Sequence, residues 1–146
     1  MKNGIYAFIV LFVFFACSNK REQMLCKTWQ VSDVQFYNVE QAIVLSDTLQ
    51  GDQIEVAKVN LREMLMKNIY AFHEDGTFKT GNAIAEAGGK WKLRNDALVF
   101  MIDNEEGTKK KEIPVEKLTD DSLILAMGND QTSLKVRLIL TPVIVD

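Results

Sequence analysis

Cys17 and the run His73-Glu74-Asp75 are the residues whose types and spacing could do chemistry in this chain. Cys17 closes a charge-free stretch, Ile5 to Ala16, that follows Lys2. A short basic start, an apolar core and a small residue just before a cysteine describe an export signal of the lipoprotein kind. The chemistry expected there is cleavage between Ala16 and Cys17, then acylation of the new terminus by palmitate or a similar chain. A transmembrane anchor is the rival reading. Twelve helical residues reach about 18 Å, whereas a hydrocarbon core is about 30 Å thick. The stretch is too short to span. A cleaved but unlipidated signal is the other alternative, since Ala16 also suits an ordinary peptidase.

His73 is the one histidine, and a carboxylate beside it is the arrangement that orients a general base. Nothing else supports that role. Ser18, Ser32, Ser46, Ser122 and Ser133 lack the glycine-flanked setting of a nucleophile elbow. The bland reading is a hairpin end facing water, and no catalytic residue is expected. Metal sites are not expected either: a single histidine and a single cysteine besides Cys17 do not make a zinc site. The paired acids Glu105-Glu106 and Asp120-Asp121 lack the alternating spacing of a calcium loop. Gly81, Gly88 and Gly89 precede strands rather than a helix, so they are not a phosphate cradle. Gly88-Gly89 reads instead as a bend or bulge where backbone must approach closely. No cofactor is implied.

Removal of residues 1–16 leaves 130 residues, enough for one domain. Lys2 is the only charge lost, taking the formal charge from −3 to −4. That balance offers nucleic acid nothing. Lys109-Lys110-Lys111 is followed by Glu112 and reads as a solvated strand entrance. Cys26, among Leu25 and Trp29, is expected to be a buried structural thiol without a disulfide partner.

The elements that position these residues are mostly strands. Residues 17–23 are expected as a lipidated tether and 24–146 as the folded domain. Trp29, Val31 and Val34-Gln35-Phe36 alternate as a strand does, while Ala42 to Leu45 is open between strand, helical turn and loop. Asp52 to Lys67 is the one convincing helix. Ile54, Ala57, Leu61, Met64 and Leu65 recur at three- and four-residue steps, with Asp52 the N-cap and Glu55 completing a capping box. After Asn68, short β segments alternate with turns at Asp75-Gly76, Arg94-Asn95-Asp96, Asn104 to Thr108 and Gly128-Asn129-Asp130. Strands are expected over Lys110 to Leu118, Ser122 to Met127 and Ser133 to Leu140 among others. About eight antiparallel strands in series predict a mainly β fold, an up-and-down barrel with one helix after the first strand. A two-sheet sandwich is the alternative.

Leu25-Cys26-Lys27-Thr28-Trp29-Gln30-Val31, the helix, Tyr70-Ala71-Phe72-His73-Glu74-Asp75-Gly76-Thr77-Phe78 and Gly89-Lys90-Trp91-Lys92-Leu93 together resemble the lipocalin-like domains of bacterial lipoproteins. Leu118-Thr119-Asp120-Asp121-Ser122-Leu123 before a hydrophobic strand suits them too, and the likeness spans nearly all of residues 24–142. Lys27 stands where family members carry a glycine two residues before the tryptophan. The resemblance implies a calycin-type barrel, an exported lipidated protein and a small apolar ligand. It implies no reaction.

Trp29, Tyr70, Phe72, Phe78, Trp91 and Phe100 are the candidate ligand-binding residues, as the walls of a barrel cavity. The same six aromatics could equally fill a solid core. The expected functions follow that fork. One is a membrane-anchored binding module for a small hydrophobic ligand, without catalytic activity. The other is a filled barrel that presents its outer surface to an envelope partner. Ser18 after Cys17 suits transport to the outer membrane, and Asn19-Lys20-Arg21-Glu22 suits a periplasmic face.

Overall fold

The computed structural model describes residues 20–37, 51–82, 86–104, 106–129 and 132–144. Cys17 and the ambiguous Ala42 to Leu45 lie outside the described residues. The short helix α1 (Lys20–Leu25) leads into β1 (Thr28–Tyr37), and helix α2 (Gly51–Met66) follows. The rest is a meander: β2 (Ile69–Phe72), β3 (Thr77–Gly81), β4 (Glu86–Arg94), β5 (Ala97–Asn104), β6 (Gly107–Leu118), β7 (Leu123–Asn129) and β8 (Thr132–Pro142). Each strand pairs antiparallel with the next, and β8 returns to pair with β1. The result is a closed eight-stranded barrel rather than a two-sheet sandwich.

Alternation sets the inside of that barrel. Trp29, Val31 and Val34 on β1 face in, as do Tyr70 and Phe72, Phe78, Trp91, Leu98 and Phe100, Ile113 and Val115, Leu123 and Leu125, and Leu138 and Leu140. All belong to one buried cluster. Burying each such side chain contributes about 1.5–3 kcal/mol, and that sum opposes the entropy of ordering the chain.

Tight turns make the hairpins possible. Gly76 has φ +81°, a value that costs glycine nothing, and it turns β2 into β3 as Asp75-Gly76 predicts. Asn95 takes φ 50° between β4 and β5. Two other turns sit differently from expectation. β6 begins at Gly107, so Lys109 to Lys111 lie within the strand and not at its entrance. Gly128 and Asn129 belong to β7, because pairing with β8 continues as far as Asn129↔Thr132. At Gly88-Gly89 the β3–β4 register runs without a shift, so there is no bulge against β3. The close approach is real: a Cβ on Gly89 would stand 2.3 Å from the Met101 carbonyl oxygen.

The β1–β2 seam is short. It holds only Thr28↔Ala71, Trp29↔Tyr70 and Gln30↔Ile69. Beyond Gln30, α2 takes the place of a strand. The Val31 N–H donates to the Asn68 carbonyl at 3.3 Å, and Arg62 Nη2 donates to the Val34 carbonyl at 2.6 Å. The first comes from Asn68, immediately before β2, and only the second from α2; each satisfies a backbone group of β1 that β2 itself does not reach. The contacting stripe is Ile54, Lys58, Leu61 and Leu65. Ala57 and Met64, expected on that stripe, are exposed instead, because α2 leans on a single wall and buries a narrow strip. Asp52 sits inside the first turn, where a carboxylate favours the helix N-terminus, rather than ahead of it.

Candidate functional site

The six aromatics expected to line a cavity come together, all of them buried. Phe78 and Phe100 meet edge-on with centroids 4.6 Å apart, and Phe72 reaches Trp91 at 5.7 Å and Phe100 at 6.0 Å. Trp91 Nε1 donates to the His73 carbonyl at 3.2 Å. Trp29 is 0 % exposed and donates from Nε1 to the Leu25 carbonyl at 2.9 Å. Tyr70 is buried deeply enough to push its phenol up, against the opposing pull of hydrogen bonds with Thr80 and Asn68. Four of these rings, Phe72, Phe78, Trp91 and Phe100, thus touch one another inside the barrel.

Above Phe100 the inward row changes character. Residues directly opposed across an antiparallel pair share a face, so Phe100↔Lys111 and Ile102↔Lys109 bring both lysines to the lumen side. Both are exposed, and Lys109 pairs with Glu106 at 2.9 Å. The mouth is therefore wet.

The other end is sealed by α1. Leu25 is buried under the barrel, and Arg21 Nη1 reaches the Asn95 carbonyl at 2.7 Å and the Asp96 carboxylate at 2.9 Å. Lys27 Nζ lies 5.4 Å from the Trp29 ring centroid and donates to the Asp120 carbonyl at 2.9 Å. Its chain thus crosses the closed end where a glycine would leave the tryptophan bare. α1 takes in Lys20 to Gln23, residues expected as part of a tether.

His73 lies in the exposed β2–β3 turn and is used through its backbone: its N–H donates to Thr77 and its carbonyl accepts from Gly76. Asp75 is engaged by Thr77, whose N–H and Oγ1 donate at 2.9 and 2.6 Å, and these bonds hold its carboxyl below the usual range. The half-buried Cys26 thiol is pushed up, first by burial and then by Glu74, Glu22 and Asp75. Among the described residues, no three His, Cys, Asp or Glu side chains group as a metal site would need, and no helix is long and apolar enough to cross a membrane.

A groove of about 840 Å³ lies on the outer wall. Gln30, Ile69, Gly81 and Glu86 line it from one outward row that crosses four strands, and Ala71 and Lys79 from the next row. Lys67, just after α2, stands at one border, and Thr80 and Asn82 at another. Ile69 is 40 % exposed there, an apolar residue left on a strand's wet face. The rim carries two lysines against one glutamate. Ile69 and Ala71 had no signal in the sequence beyond strand alternation, which says that they point outward but not that a groove receives them.

No family model matches the chain, and no curated protein matches it. Among solved structures it is similar to a lipocalin-like protein from Bacteroides uniformis, at 16 % identity and TM-score 0.49, over 82 % of this chain and 99 % of that one. It is also similar to a DUF4847 family protein from Bacteroides vulgatus, at 12 % identity and TM-score 0.46, over 87 % of this chain and 99 % of that one. At such distance neither likeness adds to what the register of the closed barrel establishes by itself.

Proposed function

We propose that this protein is a lipid-anchored, non-enzymatic binding module of the outer membrane's periplasmic face, and that it takes a small amphipathic molecule on its outer wall. The leader ending at Cys17 supports the anchor. The groove carries the binding reading: its volume of about 840 Å³ falls in the range of small-molecule sites, and its floor is apolar with polar groups at the rim. An apolar body fits over Ile69 and Ala71. Lys67 and Lys79 favour an anionic end over a cationic one. The packed aromatics support placing the ligand outside the barrel rather than at its depth.

Ala71→Trp tests this reading, because it fills the groove from an outward strand position and leaves the core alone. Titration with a medium-chain fatty acid, followed by amide chemical shifts, should move resonances of Gln30, Ile69 and Lys79 in the parent protein. Those shifts should weaken at least several-fold in the variant, with its melting temperature kept. Shifts confined to Phe72, Phe78 and Phe100 would place the ligand inside and reject the groove.

One observation favours a second reading, a contact with an envelope protein. α2 exposes Val56 at 59 %, Val59 at 53 % and Met64 at 52 %, three apolar residues away from the stripe that packs on β1. A photocrosslinker at Val59 that captures one reproducible partner in intact cells supports it; capture of none removes it.

A further inference from the structure

We infer that the closed end of the barrel, and not its mouth, rests against the lipid surface. The inference depends on acylation of Cys17, as in the proposed function, and adds which way the molecule faces. Three peptide units separate Cys17 from Lys20, a reach of at most about 11 Å. Lys20 opens α1, which is not free to swing. Arg21 fastens it to Asn95 and Asp96 in the β4–β5 turn, and Leu25 is fully buried and accepts the Trp29 indole N–H. The anchor point therefore stays within about one helix diameter of the closed end.

The same end gathers the β2–β3 turn, the β6–β7 turn and the exit of β8, where the Val143 N–H donates to Thr28 and Ile144 is 85 % exposed. Chain length, not charge, holds this face down. Its acids and bases are mixed, and several are already engaged: Arg21 with Asp96, Lys27 with Asp120, and Thr119 with Asp121. β5 has eight residues, which at about 3.3 Å each and a tilt near 40° puts the mouth about 20 Å higher. Glu86 and Gly81, at the upper border of the groove, lie toward that far end, facing water rather than lipid.

The test uses the acylated chain, purified from bacterial membranes and returned to vesicles of phosphatidylethanolamine and phosphatidylglycerol. In a Cys26→Ser background, a fluorophore is placed at the closed end by Ile144→Cys or at the mouth by Glu106→Cys. Nitroxide lipids labelled at the headgroup then report proximity. Strong quenching at position 144 and none at position 106, unchanged by salt, is the expected result. Equal quenching, or the reverse order, overturns the orientation. A long Gly/Ser insertion between Asn19 and Lys20 should erase the difference while the protein still floats with vesicles; a difference that survives it also counts against the tether argument. Failure to float, with no acyl mass on the chain, would instead overturn the anchoring that the inference rests on.

Discussion

Arg62 on α2 donates from Nη2 to the carbonyl oxygen of Val34 across 2.6 Å, and its guanidinium lies 3.5 Å from the Asp33 carboxylate. A side chain here does the work of a neighbouring strand, because β1 runs on past the end of β2. Loss of a charged donor to a backbone carbonyl costs about 1.5–3 kcal/mol, and half-exposure of Arg62 puts this case toward the low end. Arg62→Met should lower stability by roughly that amount in urea unfolding, and Arg62→Lys should restore part of it. Equal stability of all three proteins would mean that water satisfies Val34 unaided.

Gly89 and Gly128 make a matched pair for testing how closely β4 and β5 approach. A Cβ on Gly89 would stand 2.3 Å from the Met101 carbonyl oxygen, whereas one on Gly128 meets nothing nearer than the Lys135 side chain at 3.6 Å. Backbone has no rotamer with which to yield. Gly89→Ala should cost about 1–3 kcal/mol or more, and Gly128→Ala little, by thermal denaturation. Indistinguishable melting temperatures would show that the β4–β5 spacing is soft.

Phe78 and Phe100 meet edge-on within the packed interior. A double-mutant cycle to leucine should return a coupling of about 0.5–1.5 kcal/mol beyond the loss of area. Trp91→Ala should cost about 3–5 kcal/mol as a large core truncation. If Trp91→Ala keeps the parent's melting temperature but loses ligand binding, these aromatics are cavity walls and the solid interior is wrong.

The sequence made the hairpins legible because turn chemistry is local. Asp75-Gly76 needs only a glycine that accepts positive φ, and alternation then assigns Tyr70, Phe72 and Phe78 to the inside. Strand number left barrel and sandwich both open, and the pairing of β8 with β1 decides between them. Other features depend on residues far apart in the chain. The strand expected from Lys110 starts three residues earlier, at Gly107, because pairing with β5 carries it back through residues whose charge and polarity give no strand signal. Ala57 and Met64 fit the helical period, but the width of the buried stripe depends on how many walls α2 touches. The groove was invisible for the same reason. It needs outward residues of four strands and the end of a helix, and no spacing within one segment announces it.

Acid should expose two small turn devices. Thr77 holds the Asp75 carboxyl, and Thr119 the Asp121 carboxyl, below the ordinary range by bonding the ionised form. With folded values depressed, the unfolded chain binds more protons near the ordinary aspartate value of about 3.9. The stabilisation is therefore complete above that value and is lost as pH falls through the lower folded ones. Melting temperature measured from pH 6 down to pH 2.5 should fall less steeply in the Asp75→Asn, Asp121→Asn double variant than in the parent. Parallel curves would mean that these bonds are present equally in the unfolded chain. Both carboxylates are exposed, so the difference lies in slope and not in a large shift.

The claim on which the functional account stands is that recognition takes place on the outer wall of a filled barrel. Its most direct measurement is a fatty-acid titration of the parent, Ala71→Trp and Phe100→Leu proteins, read by amide chemical shifts. Saturable shifts at Gln30, Ile69 and Lys79 that Ala71→Trp abolishes and Phe100→Leu leaves in place are the predicted result. Binding that survives Ala71→Trp and disappears with Phe100→Leu, in a protein still folded, would contradict the account.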